Sequence, residues 1–159
     1  MPNRARVVTI GAAVAASALV AGVAATSASA DSADGGRDVR TLRFQVETSP
    51  LDYTDLGAQG PSVADVIVFH DTLFKNGRQV GHEVGSCTFV EPDGLSNCTG
   101  VITLDRQGTI TFAFENAPPP EKTLAITGGS GDFGSAEGDG TLVENGDGTG
   151  TLTLAVDRD

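Results

Sequence analysis

The chain reads as an all-β protein, and two observations lead there. Apolar and polar residues alternate over short runs through most of residues 40–156, with no helical period. Gly, Pro and Asn-Gly or Asp-Gly steps, drawn from 21 Gly and 7 Pro, punctuate those runs at short intervals. Eight such runs point to an antiparallel barrel or a sandwich.

The elements follow in order. Arg40 to Thr48 alternates as a first strand, and Ala64 to Lys75 is a second. Asn76-Gly77 makes a tight hairpin turn, because both positions tolerate positive φ. Gln79 to Val90 is a third strand, closed by Glu91-Pro92-Asp93-Gly94, with Pro and Gly where a turn wants them. Leu95 to Leu104 is a fourth, and Asp105-Arg106-Gln107-Gly108 turns into a fifth at Thr109 to Glu115. Ala117-Pro118-Pro119-Pro120 cannot join a hydrogen-bonded ladder and serves as a connection. Lys122 to Thr127 is a sixth strand and Gly140 to Glu144 a seventh. Asn145-Gly146-Asp147-Gly148 leads into the eighth at Thr149 to Val156. Eight strands can close a barrel whose interior holds side chains or one small ligand.

The two cysteines test this register. With Glu91 to Gly94 as the loop, Val90 pairs with Leu95 and Cys87 with Cys98. Directly opposed residues of a non-hydrogen-bonded pair lie about 4.5 Å apart at Cα, within reach of a disulfide. A Cys87–Cys98 bridge is therefore expected, and an exported protein meets the oxidising conditions it needs.

Export is itself expected. Arg4 and Arg6 form a basic start, Val7 to Ala25 is apolar, and Ala28-Ser29-Ala30 supplies a small-x-small cleavage site. Residues 1–30 thus read as a signal peptide, 31–38 as a disordered tail and 39–159 as one barrel domain, secreted to the extracellular space. Arg4 and Arg6 are separated by Ala5, so the twin-arginine pattern is absent, and no Cys follows the apolar run to take a lipid. The leader's only charges are those two arginines, so its removal takes the formal net charge from −11 to −13. Such acidity repels phosphates and argues against nucleic acid and, after cleavage, against membranes. With no Trp and 5% aromatics, stacking on single strands is also disfavoured.

The most distinctive stretch is Leu124-Ala125-Ile126-Thr127-Gly128-Gly129-Ser130-Gly131-Asp132-Phe133-Gly134-Ser135-Ala136-Glu137-Gly138. A half-buried strand runs into a glycine-rich bend and re-enters a strand at Gly140. No Lys follows the glycines, so this is not a phosphate loop. The Gly-Gly-x-Gly-Asp order also occurs in calcium-binding β-rolls, but those repeats recur and no second copy exists here.

This stretch resembles the signature of the allene oxide cyclase and dirigent families. Val68-Phe69-His70-Asp71-Thr72-Leu73-Phe74 is similar to their second strand, and Val80-Gly81-His82-Glu83-Val84-Gly85-Ser86-Cys87 to their third. The resemblance covers most of residues 41–145. It implies an eight-stranded antiparallel β-barrel, packed as a homotrimer, with a site in its lumen. Carried over residue by residue, it implies Glu47 as a carboxylate that stabilises positive charge in the substrate and Asp71 as a second catalytic polar group. It also implies that Phe69 and Cys87 line the ligand pocket. Asp71 stands where plant cyclases keep Asn and dirigent proteins keep Asp, which favours dirigent-like chemistry. No segment clearly matches the cyclases' Ser-Pro water-binding pair.

His70 belongs to the face opposite Phe69 and Asp71, so it is expected outside the barrel, and His70 and His82 lack a third partner for zinc. No nucleophile elbow accompanies them, and neither a metal nor any other cofactor is expected. Two classes of function remain. One is a barrel that folds a hydrophobic small molecule into one conformation and steers its cyclisation or stereoselective coupling, mainly by orientation and exclusion of water. The other is a non-catalytic barrel that carries a small apolar ligand. Convergent carboxylates in the lumen favour the first, and a wholly apolar lumen the second.

Overall fold

The computed structural model describes residues 38–117 and 120–157. The expected leader at 1–30, all but the last residue of the tail at 31–38, and Pro118 and Pro119 lie outside the described residues. The described elements are β1 (Val39–Thr48), β2 (Asp52–Thr54), β3 (Val66–Lys75), β4 (Arg78–Phe89), β5 (Ser96–Leu104), β6 (Gly108–Asn116), β7 (Glu121–Gly131), β8 (Glu137–Glu144) and β9 (Thr149–Asp157). They pair in the order β1-β9-β8-β7-β6-β5-β4-β3-β2, and an additional β1–β3 pairing closes the ring. The result is a closed, eight-stranded, all-antiparallel barrel, which removes the exposed edges an open sheet would carry.

β2 is a ninth, short strand that the sequence pattern did not reveal. β1 pairs with the second half of β3, from Thr48↔Asp71 to Gln45↔Phe74. β2 pairs with the first half, from Asp52↔Val68 to Thr54↔Val66. The two behave as one wall strand interrupted at Ser49, Pro50 and Leu51. Pro50 has no N–H to give a ladder, which accounts for the break.

Alternation along each strand sets the interior. In β1, Leu42, Phe44 and Val46 are buried while Thr41, Arg43, Gln45 and Glu47 are exposed. In β9, Leu152, Leu154 and Val156 are fully buried. These join Leu73, Ile102, Leu104, Ile110, Phe112 and Leu124 in one core cluster. Two glycines on the inner face make room for aromatic rings. Gly85 and Gly100 pair across β4 and β5. A Cβ on Gly85 would sit 2.3 Å from the Phe69 ring, and one on Gly100 would sit 2.4 Å from the Phe112 ring.

The glycine-rich stretch connects β7 to β8. Phe133 and Ala136, at 0% and 1% exposure, drop from it into the core. A Cβ on Gly129 would lie 2.3 Å from the Thr109 carbonyl oxygen and 2.5 Å from that of Phe133, so the bend needs glycine to close over the barrel. This plugs one end. The other end, where β1, β6 and β8 finish, is not filled.

The two turns that anchored the sequence register have the expected geometry. Asn76 and Gly77 take φ of 53° and 72°, the positive pair a two-residue hairpin requires. Val90 N–H donates to Leu95 C=O at 2.9 Å, and Cys87 pairs with Cys98 in a disulfide with Cα atoms 4.0 Å apart.

Candidate functional site

The unfilled end of the barrel holds a cavity of about 600 Å³. Val46 and Leu142, with Ile67, Phe69, Cys87 and Phe114, supply apolar walls. Ser49, Pro50 and Leu51, from the break between β1 and β2, form part of its mouth with Pro120 and the β8–β9 turn. Besides Ser49, the polar side chains are few: Thr48, Asp71, Glu83, Asn116, Glu144 and Thr149. The disulfide is thus both a staple between β4 and β5 and, through Cys87, a patch of the cavity wall. The glycine-rich bend lies at the far end of β7 and contributes nothing to this lining.

Asp71 and Glu83 face each other. They are directly opposed on β3 and β4, so their side chains stand on the same face of the sheet. Both are buried, at 5% and 3% exposure. A β-bulge produces this pairing. From the Asn76-Gly77 turn the hairpin runs Lys75↔Arg78 and Phe74↔Gln79, then slips by one residue to Leu73↔Gly81, leaving Val80 unopposed. Without the slip Asp71 would oppose His82, and Glu83 would point outward. Bulges beside functional sites commonly re-aim a side chain in this way. Val80 itself packs against the core.

Burial dominates the electrostatics. Loss of water pushes the Glu83 carboxyl up to about 8, and the neighbouring Asp71 charge adds to the shift. Asp71 is also raised by burial, with a smaller upward push from Glu144, while hydrogen bonding to Thr48 and the proximity of His70 pull it back. Glu83, with its carboxyl at about 8, is mostly protonated at neutral pH, and two opposed buried carboxyls disfavour double ionisation. Asp71 Oδ1 has no hydrogen-bond partner. Glu144 sits at the rim, 4.0 Å from the Lys122 ammonium, which also donates to the Ala117 carbonyl.

The remaining sequence-derived candidates are placed as follows. Phe69 lines the cavity beside Asp71, its ring over Gly85. Glu47 does not reach it. Glu47 is exposed, flanked by buried Val46, and opposes Thr72 on the outer face. Thr48 is the β1 residue opposite Asp71. A strand alternates its faces residue by residue, so the end of β1 offers the lumen Val46 and Thr48 and turns Glu47 away. His70 is exposed and His82 half-buried, their rings 5.8 Å apart outside the barrel.

Two features of the lumen were missed in the sequence. Glu83 lies four residues before Cys87 and hence on the same strand face, a relation that places it in the lumen once Cys87 lines the cavity. Ser49-Pro50 is a Ser-Pro pair at the cavity mouth that strand alternation does not reveal, since β1 ends at Thr48.

A further buried carboxylate organises the wall rather than the cavity. Asp65, at 0% exposure, accepts hydrogen bonds from Leu56 N–H at 2.9 Å, Ser62 N–H at 2.7 Å, the Ser62 hydroxyl at 3.2 Å and the Tyr53 hydroxyl. These bonds hold the loop between β2 and β3 in place. They lower the Asp65 carboxyl, with the Tyr53 bond the largest cause, and push Tyr53 up to about 12.

The family model described as the allene oxide cyclase barrel like domain matches residues 41–144. Among solved structures, the chain is similar to one titled pyocyanin demethylase: 29% identity and a TM-score of 0.66, over 74% of this chain and 99% of that one. It is also similar to a pterocarpan synthase dirigent protein, at 17% identity and a TM-score of 0.56, over 76% of this chain and 86% of that one. The Diels–Alderase AbmU from Streptomyces koyangensis matches at 17% identity and a TM-score of 0.58, over 78% of this chain and 71% of that one. The last two likenesses concern the fold alone. A search of the curated proteins found no match.

Proposed function

The chain belongs to the allene oxide cyclase barrel like family, and from that premise we propose that it is a secreted barrel catalyst that binds a hydrophobic small molecule in its half-open lumen and steers its cyclisation or coupling. The observation that carries this reading is the opposed pair Asp71 and Glu83, buried together in an otherwise largely apolar cavity. A wholly apolar lumen would suit a carrier. A carboxylic acid beside a carboxylate suits proton transfer.

In this reading the substrate lies against Phe69, Ile67, Phe114 and Leu142, which fold it into one conformation and exclude water. Glu83, protonated at neutral pH, donates to an oxygen or nitrogen that gains electron density as the bond pattern changes. Asp71 stabilises the positive charge that develops elsewhere, or accepts the proton that is released. Glu83 and Asp71 thus take the acid and base roles that opposed environments assign to paired carboxyls. Thr48 orients Asp71 by hydrogen bonding. Glu47 has no part, since it lies on the outer face.

A second reading has its own support. The similarity to a pyocyanin demethylase covers 99% of that chain, so removal of a methyl group from an aromatic substrate is the reaction to test first. Incubation with pyocyanin, followed by absorbance and by mass spectrometry of the products, tests it directly. Mass spectrometry of small molecules released from protein purified out of its own culture medium tests the broader reading. For whichever substrate is accepted, Asp71→Asn and Glu83→Gln should each keep the barrel's circular dichroism and lower turnover by roughly 100-fold or more. Turnover at the parent rate in both variants would remove the pair from the chemistry. A ligand recovered chemically unchanged, with binding but no conversion, would leave a carrier.

A further inference from the structure

Charge in the cavity is unbalanced, and the imbalance has one sign. Every ionisable side chain that lines it is acidic: Asp71, Glu83 and Glu144. No Lys, Arg or His is among the lining residues. Glu144 has the Lys122 ammonium 4.0 Å away. The opposed pair has no such neighbour in the lining. Asp71 is 95% buried, borders the cavity, and its Oδ1 lacks any hydrogen-bond partner. A buried carboxylate oxygen without a partner is costly, and proteins rarely leave one unless something else completes it. The surrounding walls are largely apolar and include Phe69 and Phe114, aromatic side chains of the kind that attract cations.

We propose that the ligand of this cavity is an organic monocation with an apolar body, its positive charge set against Asp71. The single charge follows from the count of uncompensated groups. Two carboxyls directly opposed and buried together disfavour double ionisation, so the pair is expected to present a single negative charge. One negative charge selects one positive charge. The chain's general acidity, −11 overall, draws cations toward the mouth but does not by itself choose among those that enter. This inference rests on the lumen as the functional site, and its test is a binding measurement separate from turnover.

The probes are N-methylquinolinium, its neutral isostere methylnaphthalene and the anion naphthoate, titrated calorimetrically at neutral pH and about 0.15 M salt. The cation should bind at least about tenfold tighter than the neutral isostere, with no detectable binding of the anion. Asp71→Asn should reduce the preference to below about twofold while the neutral probe binds as before. Glu47→Gln, which removes a carboxylate from the outer face, should leave the preference intact. In the parent protein the preference should also persist at about 1 M salt, because a buried charge is screened far less than a surface one.

Equal or tighter binding of methylnaphthalene would overturn the proposal. So would a preference that survives Asp71→Asn, one that Glu47→Gln erases, one that vanishes with salt, or failure of all three probes to bind. Preferential cation binding without conversion of any substrate would sink the catalytic reading and leave this one standing. Conversion of a substrate with no charge preference would do the reverse.

Discussion

Glu83 is the residue on which the chemistry and the stability of the barrel both turn. Its carboxyl is pushed from 4.5 to about 8 by burial. Between those values the folded chain holds a proton that the unfolded chain has released, so stability falls as pH rises through that window and is level above it. Asp71 is raised as well and acts in the same direction. Glu83→Gln removes the larger part of this dependence. The full shift corresponds to up to about 5 kcal/mol, so the variant should be distinctly more stable than the parent above pH 8 and differ little near pH 4. Urea unfolding at a series of pH values reads this. A parent curve that rises with pH over the window would contradict the buried, protonated state. Tyr53 allows a second residue-scale test. It is the only tyrosine and the chain has no Trp, so ultraviolet titration reports it alone. Tyrosinate should form near pH 12 in the parent. In Asp65→Asn it should return toward its ordinary value of about 10, because the hydrogen bond to a carboxylate and the nearby negative charge are both lost. An unchanged titration would mean that the bond does not persist in solution.

At the scale of elements, two irregularities set the site. The bulge at Val80 turns Glu83 into the lumen opposite Asp71. The break at Ser49 to Leu51 opens the wall strand beside Phe69. Between them, the β4–β5 pair is stapled by Cys87–Cys98 across a sequence separation of 11. A loop of that length constrains the unfolded chain enough to contribute about 3 kcal/mol. The Cys87→Ala/Cys98→Ala protein should lose that amount in chemical denaturation while keeping the barrel's circular dichroism. A loss below about 1 kcal/mol would show that the strand pairing alone holds this part of the wall. The sequence made the strands themselves legible, because alternation and turn residues are local. Asn76-Gly77 and Glu91 to Gly94 located two hairpins and the cysteine pairing. The bulge was not legible: nothing in the run from Phe74 to Gly81 marks which residue will be left unopposed.

The described residues form a barrel with one plugged end and one open end. Phe133 and Ala136 close the first, and the cavity occupies the second. Outside, Val68 and Val84 remain 44% and 41% exposed on the neighbouring strands β3 and β4. Apolar residues grouped on an outer strand face are candidates for burial between copies. The homotrimer that the family resemblance implies would cover such a face, and light scattering at micromolar concentration should return three chain masses. A monomer mass would reject it. Secreted material should have lost residues 1–30 and, in intact mass, two hydrogens for the disulfide; a full-length chain in the medium would contradict the export reading.

The sequence by itself determined the class of fold, the order of eight strands, the cysteine pair, and the face shared by Phe69 and Asp71. All of these follow from period-two alternation and from turn residues whose backbone preferences act over a few positions. Tertiary structure decided which carboxylates meet. Glu47 was assigned to the lumen from its position in a family pattern, yet a single step of alternation places Thr48 there instead. Glu83 shares a strand face with Cys87, yet only a one-residue slip in the β3–β4 ladder sets it against Asp71. Closing the ring then withdrew water from both. Register across strands and burial within a closed barrel are properties of the assembled sheet, and no window of sequence contains them.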